Sequence, residues 1–125
     1  MILLLDAHVV LWAVSEPETL APSARSAIES PSNDVVVSTG SIWELEIKRA
    51  LGKLRVEVEL IQELERVDFA ILPITAADAI SAARLEMHHR DPFDRMLIAQ
   101  ASRLGAIVVT RDSMFSRYEI EILPA

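Results

Sequence analysis

The chain has 125 residues, 51% of them hydrophobic, with a mean hydropathy of +0.30; that fits one domain with a substantial core and excludes a disordered tail. The absence of cysteine excludes disulfides, thiolate metal sites and a cysteine nucleophile. A net charge of −7 argues against strong non-specific binding to nucleic acid.

In chain order, Met1–Leu5 reads as a buried strand, a continuous apolar run without polar alternation. Ala7–Val14 reads as a short helix ended by Pro17, and Pro22 opens a second helix through Glu29. Pro31-Ser32-Asn33-Asp34 reads as a turn, not a domain boundary. Asp34–Ser38 is a second strand carrying three consecutive valines. Ser41–Leu51 is a third helix, with Gly52 as its C′ residue. Glu57–Arg66 is a fourth helix, and Phe69–Leu72 a short strand stopped by Pro73. Thr75 caps a helix through Met87, and Pro92 starts another that Gly105 ends. Ala106–Thr110 and Ile120–Leu123 complete the strands. Strands alternating with helices predict a single α/β/α sandwich around a parallel sheet. No segment approaches the roughly 20 apolar residues of a membrane span. Met1–Leu5 is too short for a signal core and lacks a basic flank. A cytoplasmic protein is expected.

Four carboxylates fall where apolar runs stop or helices begin: Asp6, Glu44, Asp94 and Asp112. Singly, each has a structural explanation. Asp6 suits an N-cap, Glu44 closes a possible capping box from Ser41, and Asp94 complements a positive helix terminus. Asp112 suits a turn, and Asp91 before Pro92 suits an N-cap. Collectively they predict something else. In a doubly wound sheet the ligand crevice lies at the carboxyl ends of the strands. Acids gathered there raise one another's pKa unless a cation offsets them. A hard divalent ion, Mg²⁺ or Mn²⁺, is the expected counter-charge, and phosphodiester hydrolysis the expected chemistry. Such neutralisation also softens the objection from net charge. So does the basic set, in which only Lys48 and Lys53 are not arginine, because arginine suits bidentate phosphate contacts.

The motifs Leu3-Leu4-Leu5-Asp6-Ala7-His8, Ser41-Ile42-Trp43-Glu44-Leu45, His88–Arg95 with Leu97–Ala101, and Val108–Asp112 occur in that order. Together they resemble the PIN-domain ribonucleases, in particular the toxins of VapBC-type toxin–antitoxin pairs, over nearly all of residues 1–125. The resemblance implies a PIN-like fold and a divalent-metal-dependent endoribonuclease acting as a toxin. It implies cleavage leaving a 5′-phosphate and a 3′-hydroxyl, a cognate antitoxin partner and a homodimer. Carried over by position, the catalytic and metal-binding residues are Asp6, Glu44, Asp94 and Asp112, with Asp91 an extra candidate ligand. Thr110 is expected to orient a metal-bound water. Ala7 stands where Thr or Ser is common in the family.

Other residues are read more plainly. His8, His88 and His89 lack the spacing of a zinc site and are assigned to surface or substrate contact. Trp12 and Trp43 are assigned to the core, with contact to a partner helix as the alternative for an aromatic exposed near the groove. Arg90, Arg95 and Arg111 flank the acids, as solvated ion-pair formers or as contacts to RNA phosphate. Two other functions remain open at this point. A receiver-type phosphoacceptor domain would suit the length and the acid after the first strand, although Pro73 and Thr75 stand at the usual acceptor position and neither lysine lies near the last strand. The other is a non-catalytic PIN-like binding module.

Overall fold

A computed structural model describes residues 1–125. Five strands form one fully parallel sheet: β1 (Ile2–Leu5), β2 (Asp34–Ser38), β3 (Ala70–Leu72), β4 (Ile107–Thr110) and β5 (Glu121–Pro124), ordered β3-β2-β1-β4-β5. Six helices alternate with them: α1 (Ala7–Ser15), α2 (Pro22–Glu29), α3 (Thr39–Ala50), α4 (Leu60–Arg66), α5 (Ala76–Arg84) and α6 (Pro92–Leu104). Short 3₁₀ turns occupy Pro17–Thr19 and Ser113–Arg117. The expected α/β/α sandwich is therefore present.

The pleat explains the layering, because alternate residues of a strand face opposite sides. Leu3 and Leu5 of β1, Val35 and Val37 of β2, and Ile107 and Val109 of β4 share one core with residues of α1, α2, α3 and α4. Leu4 and Val108 point the other way and pack with Leu97, Ile98 and Ala101 of α6 and with Phe115. Burial on both faces is what a parallel sheet requires, and it is why β1 and β4 carry no polar alternation. No helix is long and apolar enough to cross a membrane.

The order of the strands positions the site. From β1 the chain steps outward through β2 and β3, then crosses back to add β4 and β5 on the other side of β1. The switch point lies between β1 and β4, whose register pairs Leu5 with Val109. The crevice opens at their carboxyl ends. The Asp6 N–H donates to the Val109 carbonyl at 3.1 Å, so the ladder continues one residue past β1.

Several element ends depart from expectation. α3 starts at Thr39 because Ser38 caps it, its side chain accepting from the Gly40 N–H at 3.1 Å. Ser41 is therefore already helical, and Ser41–Glu44 is not a capping box. α4 begins at Leu60 rather than Glu57, after a segment in which Arg49 reaches the Val58 carbonyl and Glu59. α5 ends at Arg84, three residues before Met87, because Leu85 turns extended. Its freed carbonyls find a donor in Arg95, as described below. α6 ends on Gly105 in the left-handed conformation, φ 64°, which glycine adopts without strain.

One buried charge ties α5 to α6. Asp78 is 1% exposed and completes a capping box with Thr75. Arg103 donates to both of its oxygens, at 2.7 and 3.0 Å, and this pairing holds the Asp78 carboxyl down at about 2. A depressed acid stabilises the fold fully above its ordinary 3.8 and loses that contribution as pH falls through about 2. Asp78→Ala removes the half of the capping box in which the carboxylate accepts from the Thr75 N–H, and leaves Arg103 half-exposed without its partner. The expected loss at pH 7 is about 2–4 kcal/mol in urea unfolding; a loss below about 0.5 kcal/mol, the range of neutral surface substitutions, contradicts this assignment.

Candidate active site

The acids expected at the sheet edge share one open cavity of about 350 Å³, walled in part by Asp6, Glu44, Asp91, Asp94 and Asp112. Each arrives by a different local device. Asp6 follows β1 directly, and the Thr110 hydroxyl donates to its Oδ2 at 2.7 Å. The same Thr110 oxygen accepts from the Asp112 N–H at 3.0 Å. The hydroxyl proton is thus committed to Asp6. Thr110, expected to orient a metal-bound water, orients a carboxylate and the turn that carries Asp112.

Asp112 caps the 3₁₀ turn Ser113–Arg117 with one oxygen, accepting from the Met114 N–H at 2.9 Å. Its other oxygen faces the site. Asp91 caps α6, its Oδ1 accepting from the N–H groups of Phe93 and Asp94 at 2.8 and 3.1 Å. Asp94 follows in the first turn of α6, where the helix dipole favours negative charge. Glu44 lies in mid-helix on α3 and receives Lys48 one turn later at 2.9 Å. Lys48 thereby joins the cavity wall, a placement its i,i+4 spacing from Glu44 would have revealed.

His89, assigned to the surface or to substrate contact, does not lie on the surface. Residues 85–91 are not helical, and the His89 ring is only 16% exposed. Its Nε2 stands 2.7 Å from Asp94 Oδ2 and 3.3 Å from Asp112 Oδ2. His89, Asp94 and Asp112 offer three ligand atoms within 4.8 Å of one another. His88, by contrast, is exposed and pairs with Glu86 at 2.9 Å. His8 lines the acidic cavity.

The arginines divide. Arg95, a candidate for RNA contact, is 6% exposed and buried against the α5–α6 connection. It donates to the carbonyls of Ala83, Leu85, Glu86 and His89. Both terminal nitrogens of its buried guanidinium are taken by main-chain carbonyls, so its role is to hold the α5–α6 connection rather than to meet a phosphate. Arg111 lies over the Trp12 ring at 4.2 Å, donates to Ala125 O at 3.0 Å and to the Thr19 carbonyl, and still borders the cavity. Arg90 is exposed and makes no ion pair. Trp12 is half-buried, but Trp43 is 63% exposed and meets only the edge of Phe93, at 5.4 Å between ring centres. The expectation that Trp43 packs in the core is overturned: α3 turns that position outward, away from both apolar clusters.

The electrostatics show what the site lacks. Asp94 is pushed up to about 7, first by burial and then by the charges of Asp6 and Asp91; hydrogen bonding from His89 acts in the opposite direction. The donors are carboxylate oxygens with one adjacent imidazole, a set suited to a divalent cation, which would bring Asp94 back into its ionised form. The sign of the pH effect follows. In the protein without metal, the folded carboxyl titrates near 7 and the unfolded one near 3.8. Stability present below 3.8 is therefore lost as pH rises toward 7. With chelator present, the melting temperature is expected to fall between pH 5 and pH 8, and Asp94→Asn is expected to flatten that fall. A divalent ion at pH 8 should restore it. A wild-type melting temperature independent of pH across this range contradicts the account.

Comparison with known proteins agrees with this fold. The chain is 26% identical over 112 residues to Ribonuclease VapC22 of Mycobacterium tuberculosis, an alignment that spans 87% of this chain and 85% of that protein. The fold is similar to that of VapBC2 from Rickettsia felis bound to a promoter DNA fragment, with a TM-score of 0.69 at 15% identity, covering 99% of this chain and 98% of that one. It is also similar to VapBC-5 from Mycobacterium tuberculosis, with a TM-score of 0.62 at 22% identity, covering 99% and 98%. The profile of the PIN domain matches residues 3–121. The chain belongs to the PIN-domain family.

Proposed function

We propose that this protein is a divalent-metal-dependent endoribonuclease, the toxin of a VapBC-type toxin–antitoxin pair. The observation that carries the reading is the gathering of five carboxylates on one cavity at the switch point between β1 and β4, with Asp94 pushed up to about 7 by burial and by the charges of Asp6 and Asp91. The name of the relative Ribonuclease VapC22 supports the reaction, and the toxin–antitoxin system VapBC-5 supplies the analogy for an antitoxin partner; the homodimer rests on the family resemblance alone.

In this reading Asp6, Glu44, Asp94 and Asp112 hold Mg²⁺ or Mn²⁺, and Asp91 offers its second oxygen beside its cap. The ion supplies Lewis-acid chemistry: it acidifies water and offsets charge on phosphate. The protein's own residues do the rest. Thr110 fixes the rotamer of Asp6. Lys48 offsets Glu44 and presents a cation to the cavity. Arg111 and the free Arg90 are the arginines placed to meet RNA phosphates. Hydrolysis joins a water oxygen to phosphorus and breaks the bond to the ribose 3′ oxygen, leaving a 5′-phosphate and a 3′-hydroxyl. The receiver-type alternative is not favoured: Lys48, the lysine at the site, is committed to Glu44, and β3 is followed by Pro73 rather than an acceptor acid.

Purified protein should cleave single-stranded RNA with Mg²⁺ and stop on chelation. Asp6→Asn and Asp94→Asn should each lower the rate on the order of a hundredfold or more, the scale seen when one preorganised electrostatic group is removed. Equal cleavage by the wild type and both variants refutes the site.

A further inference from the structure

Resting on that metal-dependent reading, we propose that His89 is a nitrogen ligand of the catalytic ion, and that it tilts the site toward Mn²⁺ over Mg²⁺. Spacing is the first argument. Two cis ligands of an octahedral ion, each about 2.1 Å away, are about 3 Å apart. His89 Nε2 lies 2.7 Å from Asp94 Oδ2 and 3.3 Å from Asp112 Oδ2, on either side of that value. The same separations suit an N–H donated to a carboxylate.

The second argument is how firmly the histidine is fixed. Its N–H donates to the Tyr118 hydroxyl at 3.0 Å, and its carbonyl accepts from Arg95 at 3.2 Å. Its ring meets Phe115 edge-on, at 6.2 Å between centres. Arg95 and Phe115 are buried. A loop histidine tied at its N–H, its carbonyl and its ring, with one nitrogen aimed between two carboxylates, is preorganised as a ligand is. Tyr118 also donates to Glu86 O at 2.7 Å, which closes the same loop from its other end.

The third argument is chemical. Asp94 and Asp112 alone are a hard oxygen set, which suits Mg²⁺. Imidazole in place of one oxygen shifts relative affinity toward transition ions, Mn²⁺ among them. A histidine acting only through its hydrogen bond to Asp94 would weaken both ions alike when removed.

Pulsed electron paramagnetic resonance of the Mn²⁺-loaded protein, with calorimetric titration of Mn²⁺ and Mg²⁺, tests the proposal. The wild type should show hyperfine coupling to a directly bound imidazole nitrogen. His89→Gln should lose that coupling, and His8→Gln, which alters the other histidine near the acids, should keep it. Mn²⁺ affinity should fall in His89→Gln by on the order of tenfold more than Mg²⁺ affinity. Mn²⁺ binding without nitrogen coupling, or coupling lost only in His8→Gln, overturns the assignment of His89 and leaves the metal site standing. Failure of the wild type to bind Mn²⁺ at all overturns both. The wild-type spectrum needs no variant to fold.

Discussion

Carboxylates held close together repel, and much of this structure exists to hold them close anyway. Asp6 and Asp112 sit past the ends of adjacent parallel strands, so the register of β1 on β4 sets their separation. Thr110 then locks the pair, donating to Asp6 and accepting from the backbone of Asp112. Asp94 is delivered from α6 on the opposite core, where burial and the charges of Asp6 and Asp91 push it up to about 7. A ligand that offsets such a cost suits this point, and a divalent cation has the charge, size and oxygen preference to do so.

The frame that resists this repulsion is apolar and two-sided. Leu3, Leu5, Val35, Val37 and Val109 anchor one face of the sheet, and Leu4 and Val108 the other. Two polar ties act across the α5–α6 layer. Asp78 and Arg103 join the start of α5 to the end of α6. Arg95 gathers the carbonyls left open where α5 stops, and with Tyr118 it shapes the loop that ends in His89. The site is thus built by strands on one side and by a buried guanidinium on the other.

The strands and the acids were legible because their causes are local. A continuous apolar run such as Ile107-Val108-Val109 has few alternatives to a buried strand, and an acid directly after it falls at the sheet edge. Pro22 and Pro92 marked helix starts correctly for the same reason, since proline's fixed φ suits the first turn. Capping at α3 was misread by three residues because Ser38 and Ser41 are both competent caps, and the choice depends on where β2 ends. His89 and Arg95 were illegible for a different reason. Arg95 bonds twelve residues back, to Ala83, and reaches Tyr118 twenty-three residues ahead. No window of periodicity contains that, so a buried hub looked like a surface cation, and the histidine it positions looked like surface too. The outward face of Trp43 is likewise set by how α3 meets the sheet, not by its neighbours in sequence.

In the proposed reading, an acidic protein acting on RNA must confine its affinity to the site. Arg111 and Lys48 border the acidic cavity, already engaged with Trp12 and Glu44, and Arg90 stands free on the loop that leads into α6. The remaining acids lie outside that cavity, in loops as well as on helices, so in the proposed reading contact with RNA depends on the ion that the site's acids bind. Anomalous diffraction from crystals soaked in Mn²⁺ is the most direct test of that dependence. A peak enclosed by Asp6, Asp94 and Asp112 is predicted, and it should vanish in Asp94→Asn. Occupied Mn²⁺ elsewhere on the molecule, with none between these carboxylates, would contradict the account.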